Sequence, residues 1–154
     1  MDFWRADSDV VDMATAVIKQ YRPELADTEI VYMFKEKAGK KGPKVVIATA
    51  RKVSSKENVV HSFEGKADVT FVVEIGADAW QELSPDQRKA VLHHELCHCG
   101  FDDKEDGGPE PALIPHDIEE FSEVVEAHGF YMKDVIDFAT KIINMKNDKE
   151  ATAE

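Results

Sequence analysis

The segment Val91-Leu92-His93-His94-Glu95-Leu96-Cys97-His98 places two histidines four residues apart, with a glutamate directly after the first of them. On a helix, residues four apart project from the same face, separated by about 40° around the axis. Two such imidazoles can both bind one Zn²⁺ at roughly 2.0–2.1 Å. Glu95, rotated by about 100° from His94, then stands beside the metal and can take a proton from a zinc-bound water. The H-E-x-x-H pattern therefore predicts a hydrolytic zinc site on a helix.

The residues on both sides of this motif define the helix that carries it. Ser84 is predicted as the N-cap, Pro85 suits the first helical position, and Gln87 completes a capping box. Gly100 stands where a helix commonly stops. We therefore predict a helix over Pro85–Cys99, with the motif in its last turns.

A catalytic zinc site usually has three protein ligands and a fourth position for water, so a third ligand is expected. The segment Pro115–Phe121 is interpreted as another helix start, in which Asp117 and Glu120 have capping-box spacing. His116 is the favoured third ligand, because it lies at the mouth of this helix after a long irregular loop. Glu120 is the rival ligand, and both Asp117 and Glu120 are candidates to orient a ligating imidazole. The other downstream candidates are Glu119, Glu123 and His128.

Three stretches together resemble the putative phage metallopeptidase family. They are His93–Gly100, the Pro115–Phe121 segment that follows an acidic loop, and the Ala67–Ile75 strand with the Trp80 turn. The resemblance covers residues 25 to 129. The chain is more distantly similar to the SprT-like (spartan-type) proteases, which also follow H-E-x-x-H with a loop and a histidine shortly before Glu-Phe. Unlike those proteases, it has no recognisable zinc-ribbon or DNA-binding domain.

The family resemblance implies a zinc hydrolase, with His94, His98 and His116 as metal ligands and Glu95 as the base. It also implies a zincin-like minimal metalloprotease domain. In such folds, an edge strand beside the motif helix can bind an extended substrate by strand addition. The resemblance makes Asp68–Ile75 the candidate for that strand.

Hydrophobic periodicity gives the order helix, strands, helices, which is typical of an α+β fold with a small, mainly antiparallel sheet. Residues 101–115 are glycine- and proline-containing, and we predict a loop over the site there. Polar turns are predicted at residues 38–43 and 54–58. The predicted helices and strands are Asp9–Tyr21, Ala77–Leu83, Pro85–Cys99, Ile118–His128 and Lys133–Asn144 (helices) and Glu29–Glu36, Val45–Val53, Val59–Phe63 and Asp68–Ile75 (strands).

Length and composition indicate one globular domain. The chain has 154 residues, of which 43% are hydrophobic and 32% charged, as in an ordinary globule with a real core. We predict a single metallopeptidase-like domain over residues 1–146 and a polar, disordered tail over 147–154. No apolar run is long enough to span a bilayer, and the N-terminus has no signal-peptide pattern. The expectation is therefore a cytoplasmic protein without a membrane partner, in the host cell if a phage encodes it.

The only cysteines are Cys97 and Cys99. Two residues apart on a helix, they point about 200° away from each other, so they should not form a disulfide. We interpret them as small, partly buried thiols in a reducing compartment, with a metal-holding role as the minor alternative.

The net charge of −12 is unevenly distributed along the chain. The segment Lys35–Lys56 holds eight basic residues, whereas its only acid is Glu36. A basic hairpin on an acidic body can contact nucleic acid or an acidic protein. A solvated hairpin whose lysines prevent aggregation is favoured over nucleic-acid binding, because no aromatic side chains interleave with the lysines.

The motif and its context together predict a zinc-dependent metallopeptidase that acts on a protein or peptide substrate, with a monomer as the default state. In this mechanism Glu95 deprotonates the water and later passes the proton to the leaving amine. Two other classes of function remain open. One is a non-catalytic protein that uses zinc for folding. The other is a nucleic-acid-associated or host-directed regulator that docks its target through the Lys35–Lys56 hairpin.

Overall fold

The computed structural model describes residues 1–63, 65 and 68–153 and is of the α+β class predicted from the sequence. The chain forms two compact units, Met1–Ile114 and Pro115–Glu154. The single domain over residues 1–146 stays a prediction. A short 3₁₀ turn covers Pro23–Leu25. The other elements are β1 (Phe3–Arg5), α1 (Ser8–Tyr21), β2 (Ile30–Lys35), β3 (Gly39–Lys41), β4 (Lys44–Val46), β5 (Ala48–Lys52), α2 (Ser55–Phe63), β6 (Phe71–Gly76), α3 (Ala77–Gln81), α4 (Pro85–Cys97), β7 (Cys99–Lys104), β8 (Gly108–Leu113), α5 (Ser122–His128) and α6 (Lys133–Ala153).

The main sheet of the first unit has four strands in the order β1-β2-β6-β5. Strand β6 pairs in parallel with β2 and antiparallel with β5, while β1 pairs antiparallel with β2. The two smaller sheets of the described residues are the antiparallel hairpins β3–β4 and β7–β8. The sheets are therefore mainly antiparallel, as expected, with β2 and β6 as the parallel exception.

The core of the first unit lies between the main sheet and helices α1 and α4. Strand β6 is buried over almost its whole length, in keeping with its sequence Phe-Val-Val-Glu-Ile-Gly, in which Glu74 is the one charged residue and is partly exposed. Leu92 and Leu96 of α4 are fully buried, as are Ala14 and Val17 of α1. This packing fixes α4, and therefore the motif on it, against the sheet.

The edge-strand prediction for Asp68–Ile75 is wrong. Most of this stretch belongs to β6 (Phe71–Gly76), which has a strand partner on both sides and so has no exposed edge. The strands at the edges of the sheet are β1 and β5. An apolar run signals burial on both faces, and a strand buried in this way usually lies in the middle of a sheet.

Residues Ser54–Phe63 do not form the predicted turn and strand, because Ser55–Phe63 is helix α2. The backbone N–H of Glu57 donates to the Ser54 hydroxyl at 3.1 Å, and the Ser54 N–H donates to the Glu57 carboxylate at 3.3 Å. This reciprocal pair is a capping box, a helix-start signal that the β-branched Val59 and Val60 concealed. Both valines are exposed, so neither contributes to the core.

The predicted loop over residues 101–115 is largely the β7–β8 hairpin. Two prolines lie in β8, opposite Asp103 and Phe101 in the register. A proline has no N–H to donate, and in a two-stranded sheet it can stand at the positions that do not pair. Proline content alone was therefore a poor guide to loop structure here.

The second unit contains α5 and α6. Helix α5 begins at Ser122 rather than at Ile118, and Phe121 is its N-cap. The predicted capping box of Asp117 and Glu120 does not form, because the Glu120 carboxylate accepts the N–H of Phe121 at 2.9 Å instead. Helix α6 runs past the predicted end at Asn144 and covers positions 147–153 of the predicted tail.

Smaller differences concern the ends of elements and residues outside the description. Strand β3 lies within the predicted turn over 38–43, and the predicted Val45–Val53 strand is divided into β4 and β5. Ala67 and Glu154 lie outside the described residues.

Among the described helices, none combines the length and the apolar character that a bilayer crossing requires.

Candidate metal site

Helix α4 and its C-cap present the two histidines of the motif, His94 and His98, on one face. Its start is fixed as predicted, since the Ser84 hydroxyl accepts the N–H of Gln87 and the Gln87 side chain accepts the N–H of Ser84. The helix ends at Cys97, with His98 as its C-cap. The rings of His94 and His98 meet edge to face with their centroids 5.1 Å apart.

The imidazole of His98 is oriented by a main-chain carbonyl. Its Nδ1 lies 2.6 Å from the carbonyl oxygen of Ile114. A carbonyl oxygen only accepts hydrogen bonds, so Nδ1 is the protonated nitrogen and donates to it. In the neutral ring the lone pair is then on Nε2, the nitrogen that can bind a metal. Metal-binding histidines in general use this kind of partner to set tautomer and ring orientation.

The same residue, Ile114, links the end of α4 to the segment that carries the third histidine. The N–H of Ile114 donates to the His98 carbonyl at 2.7 Å, which extends the β7–β8 pairing by one further step. Gly100 allows this close approach, because a Cβ there would lie 2.7 Å from Cγ1 of Ile114. His116 follows only two residues later.

Three histidines come together as a group that can bind a metal ion. One nitrogen from each of His94, His98 and His116 lies within 4.8 Å of the other two. Nitrogen ligands of one tetrahedral zinc are about 3.4 Å apart, given metal–nitrogen bonds of roughly 2.0–2.1 Å. Side-chain adjustments of about one ångström therefore suffice for the three imidazoles to hold an ion of this size.

Glu95 is the buried charged residue beside this group, with 6% of its surface exposed. Burial raises the pKa of its carboxyl to about 7, although nearby His98 and a hydrogen bond from the Ala50 backbone both oppose the rise. Its Oε1 lies 3.9 Å from Nε2 of His94. A carboxyl group with a pKa near neutrality can both take up and release a proton at physiological pH.

The hydrogen bond from Ala50 places Glu95 next to the edge strand β5. At the two ends of the β5–β6 ladder, Gly76 N–H donates to Ile47 and Val53 N–H donates to Thr70. Since pairs in an antiparallel ladder alternate, the odd-numbered residues of β5 face β6 with their N–H and C=O groups. The even-numbered residues, Ala50 among them, therefore direct these groups away from β6 and towards the side on which Glu95 lies.

The carboxylates proposed as alternatives are outside the histidine group. The Glu120 carboxylate accepts hydrogen bonds from the Tyr131 hydroxyl and from the Phe121 N–H, and both lower its pKa. Neither Asp117 nor Glu120 is a member of the group that could hold a metal. A role for either residue in orienting an imidazole stays a prediction.

Both cysteines are free thiols, with Cys97 exposed and Cys99 buried. Burial raises the pKa of Cys99 to about 12, and its thiol donates to the Glu95 carbonyl at 3.6 Å. This thiol is therefore protonated at neutral pH, whereas a metal ligand is a thiolate. His93, on the other side of α4, stacks on Tyr21 with ring centroids 4.4 Å apart, in a packing role.

Sequence reasoning missed two main-chain groups of this site, the carbonyl of Ile114 and the N–H of Ala50. Every residue has such groups, so no residue type marks them. The one indirect signal was Gly100, which we interpreted as a helix stop but which also makes room for Ile114.

A family profile described as "Putative phage metallopeptidase" matches residues 1–143. No curated protein and no solved structure matched the chain.

Proposed function

The chain belongs to the putative phage metallopeptidase family, and we propose that it is a zinc-dependent peptidase that hydrolyses peptide bonds in a protein or peptide substrate. The observation that carries this proposal is the histidine group next to a buried glutamate. The nitrogens of His94, His98 and His116 lie within 4.8 Å of one another, and Glu95 is the adjacent acid. This combination of three neutral ligands and one base is that of a catalytic zinc site.

The proposed ligands are the imidazoles of His94, His98 and His116. Nitrogen ligands suit zinc, and three of them leave one coordination position open for chemistry. The fixed tautomer of His98 supports its role, because Ile114 accepts its Nδ1–H, and this contact makes Nε2 the nitrogen that can bind a metal. When bound, zinc would polarise the scissile carbonyl and make an attacking water more acidic.

Glu95 is proposed as the general base and then the general acid. Its carboxylate accepts a proton from the attacking water, and the same group donates this proton to the amine that leaves. The N–H of Ala50 holds the carboxylate in place, and the low exposure of Glu95 keeps bulk water from competing with it. Both features support a carboxylate that is held in position before the substrate binds.

The test is the substitution Glu95→Gln in the full-length chain. This change keeps the size of the side chain but removes its capacity to accept a proton. We expect zinc content, by elemental analysis, to remain at the wild-type level, while hydrolysis of a quenched fluorescent peptide mixture falls by at least about a hundredfold.

The control for this experiment is Glu119→Gln, which removes a carboxylate from an exposed position outside the histidine group. It should leave both zinc content and hydrolysis unchanged. A wild-type protein that binds zinc but hydrolyses none of the peptides would contradict the proposal and favour a metal used only for folding. A chain that binds no zinc after reconstitution would contradict the metal site itself.

A further inference from the structure

Basic residues are concentrated in one part of the first unit. The segment Lys35–Lys56 contains eight of the 19 lysines and arginines of the chain but only one of its 31 acids. We call four of its residues the basic surface, because they are exposed and lie on the β3–β4 hairpin or on β5: Lys40, Lys41, Lys44 and Lys52.

The charges of the basic surface are not neutralised within the described part of the chain. None of the ion pairs there includes a lysine of this surface, whereas the neighbouring Arg51 pairs with Glu57 at 3.1 Å. Moreover, Lys41 and Lys44 stand directly opposite each other in the β3–β4 register. Like charges in this arrangement destabilise a hairpin, and an anionic partner would remove that cost.

One residue of the basic surface, Lys52, lies on the strand that contacts Glu95, and the other three lie on the hairpin that precedes this strand in the chain. Lys52 is two residues after Ala50 on β5, which corresponds to about 7 Å along a strand. Lys44 is six residues before Ala50, which is at most about 20 Å away along the chain. Lysines therefore both precede and follow Ala50 along the chain, at separations that an extended peptide of a few residues can span.

We propose that the basic surface binds acidic segments of the protein substrate, so that the peptidase cuts next to clusters of aspartate and glutamate. This inference rests on the proposed peptidase function and adds the class of substrate. Charge complementarity supports it, since Lys52 follows Ala50 on β5 and the lysines of the β3–β4 hairpin precede Ala50 in the chain. Nucleic acid fits less well, because residues 39–52 contain no aromatic side chain on which a base could stack.

The experiment uses two synthetic peptide libraries with the same randomised centre. In one library the flanking arms are rich in Asp and Glu, and in the other they are rich in Ser and Gln. Cleavage by the zinc-loaded full-length chain is followed by mass spectrometry. Binding of fluorescent peptides with acidic arms to the Glu95→Gln chain is measured by fluorescence anisotropy at low and at physiological ionic strength.

The key variant is the triple reversal Lys40→Glu, Lys41→Glu and Lys44→Glu. Its matched control, Lys19→Glu, Lys141→Glu and Lys146→Glu, makes the same change in net charge at exposed positions elsewhere. We expect the wild type to prefer acidic arms, and the key variant to lose about tenfold in kcat/KM on them. The control should stay within about twofold, and salt should weaken binding of acidic peptides to the wild-type surface.

The outcomes separate this inference from the proposed function. Cleavage of both libraries at equal rates, unaffected by the key variant, would overturn the acidic preference and leave the peptidase intact. If neither library is cleaved, the peptidase proposal fails, and the binding measurement alone decides whether the surface takes acidic peptides. Preference for single-stranded DNA over acidic peptides in the anisotropy experiment would assign the surface to nucleic acid and overturn the inference.

Discussion

Helix α4 and the segment Pro115–Phe121 each contribute to the histidine group, but they are built in different ways. In α4, a capping box fixes the start of the helix, and helical spacing alone brings His94 and His98 to one face. The segment Pro115–Phe121 belongs to no helix or strand, and His116 lies two residues after the hydrogen-bonded pair of His98 and Ile114. The first two proposed ligands thus depend on local geometry, whereas the third depends on a hairpin.

This difference makes His98 the residue with two roles in the site. It is a proposed ligand, and both its backbone and its ring bond to Ile114, immediately before the segment with His116. For His116, the proposed role is that of a ligand. The His116→Ala variant therefore removes one proposed ligand. The His98→Ala variant removes a proposed ligand and also a contact that holds Ile114, next to the segment with His116.

The largest effect is expected for His98→Ala. We predict a loss of zinc affinity of about a thousandfold, against about a hundredfold for His116→Ala, where water can take the vacated position. Competition with a chromophoric chelator measures both values. Glu120→Gln is the matched control near His116 and should change the affinity by less than about twofold, because its carboxylate is engaged by Tyr131.

Equal losses in the two alanine variants would contradict the double role of His98. A large loss for Glu120→Gln, together with a small one for His116→Ala, would make the carboxylate the third ligand. That result would restore the alternative that the sequence left open.

The sequence predicted the part of the site that helical periodicity determines. The interval between His94 and His98, and the Ser84–Gln87 cap, are local features that do not require knowledge of the remaining fold. His116 was chosen for its place after a loop, and the structure does bring it to the other two histidines. The helix start that was part of the reason for this choice is absent, since α5 begins at Ser122. The position of His116 was therefore predicted with an argument that was partly wrong.

The arrangement of the strands was less predictable. Strand order depends on which elements pair across long stretches of chain. The alternation of apolar and polar side chains along one strand does not indicate which strands lie beside it. The sequence predicted a strand over Asp68–Ile75, but only the pairing of Phe71–Gly76 with β2 and β5 excludes it from the edge. The contact between Glu95 and Ala50 follows from this order and could not be anticipated.

A smaller effect is expected for Gly100→Ala, which tests the hairpin side of the comparison. The added Cβ would lie 2.7 Å from Cγ1 and 2.9 Å from Cδ1 of Ile114, so Ile114 must shift. Because Ile114 orients the ring of His98, we predict a loss of zinc affinity of about tenfold, as for other partners of ligating histidines.

The control for Gly100→Ala is a second change that removes the clash. The double variant Gly100→Ala, Ile114→Ala should recover most of the affinity, and Ile114→Ala alone should change it little, since the main chain supplies the hydrogen bonds. Failure of the double variant to recover would indicate that Gly100 acts through something other than the position of Ile114. Chelator competition and thermal unfolding of the metal-free chain together report affinity and stability.

The smallest effect, and the sharpest test of local construction, is expected for Ser84→Ala at the start of α4. Loss of this cap should destabilise the metal-free chain by about 1 kcal/mol, measured by urea unfolding. Ten residues of helix, about 15 Å, separate Ser84 from His94, so zinc affinity should change by less than about twofold. Asp7→Ala, which removes the cap of α1, is the matched control with a similar loss of stability. If Ser84→Ala weakens zinc binding and Asp7→Ala does not, the cap also affects the positions of His94 and His98. In that case α4 does not position the two histidines independently of its N-terminus.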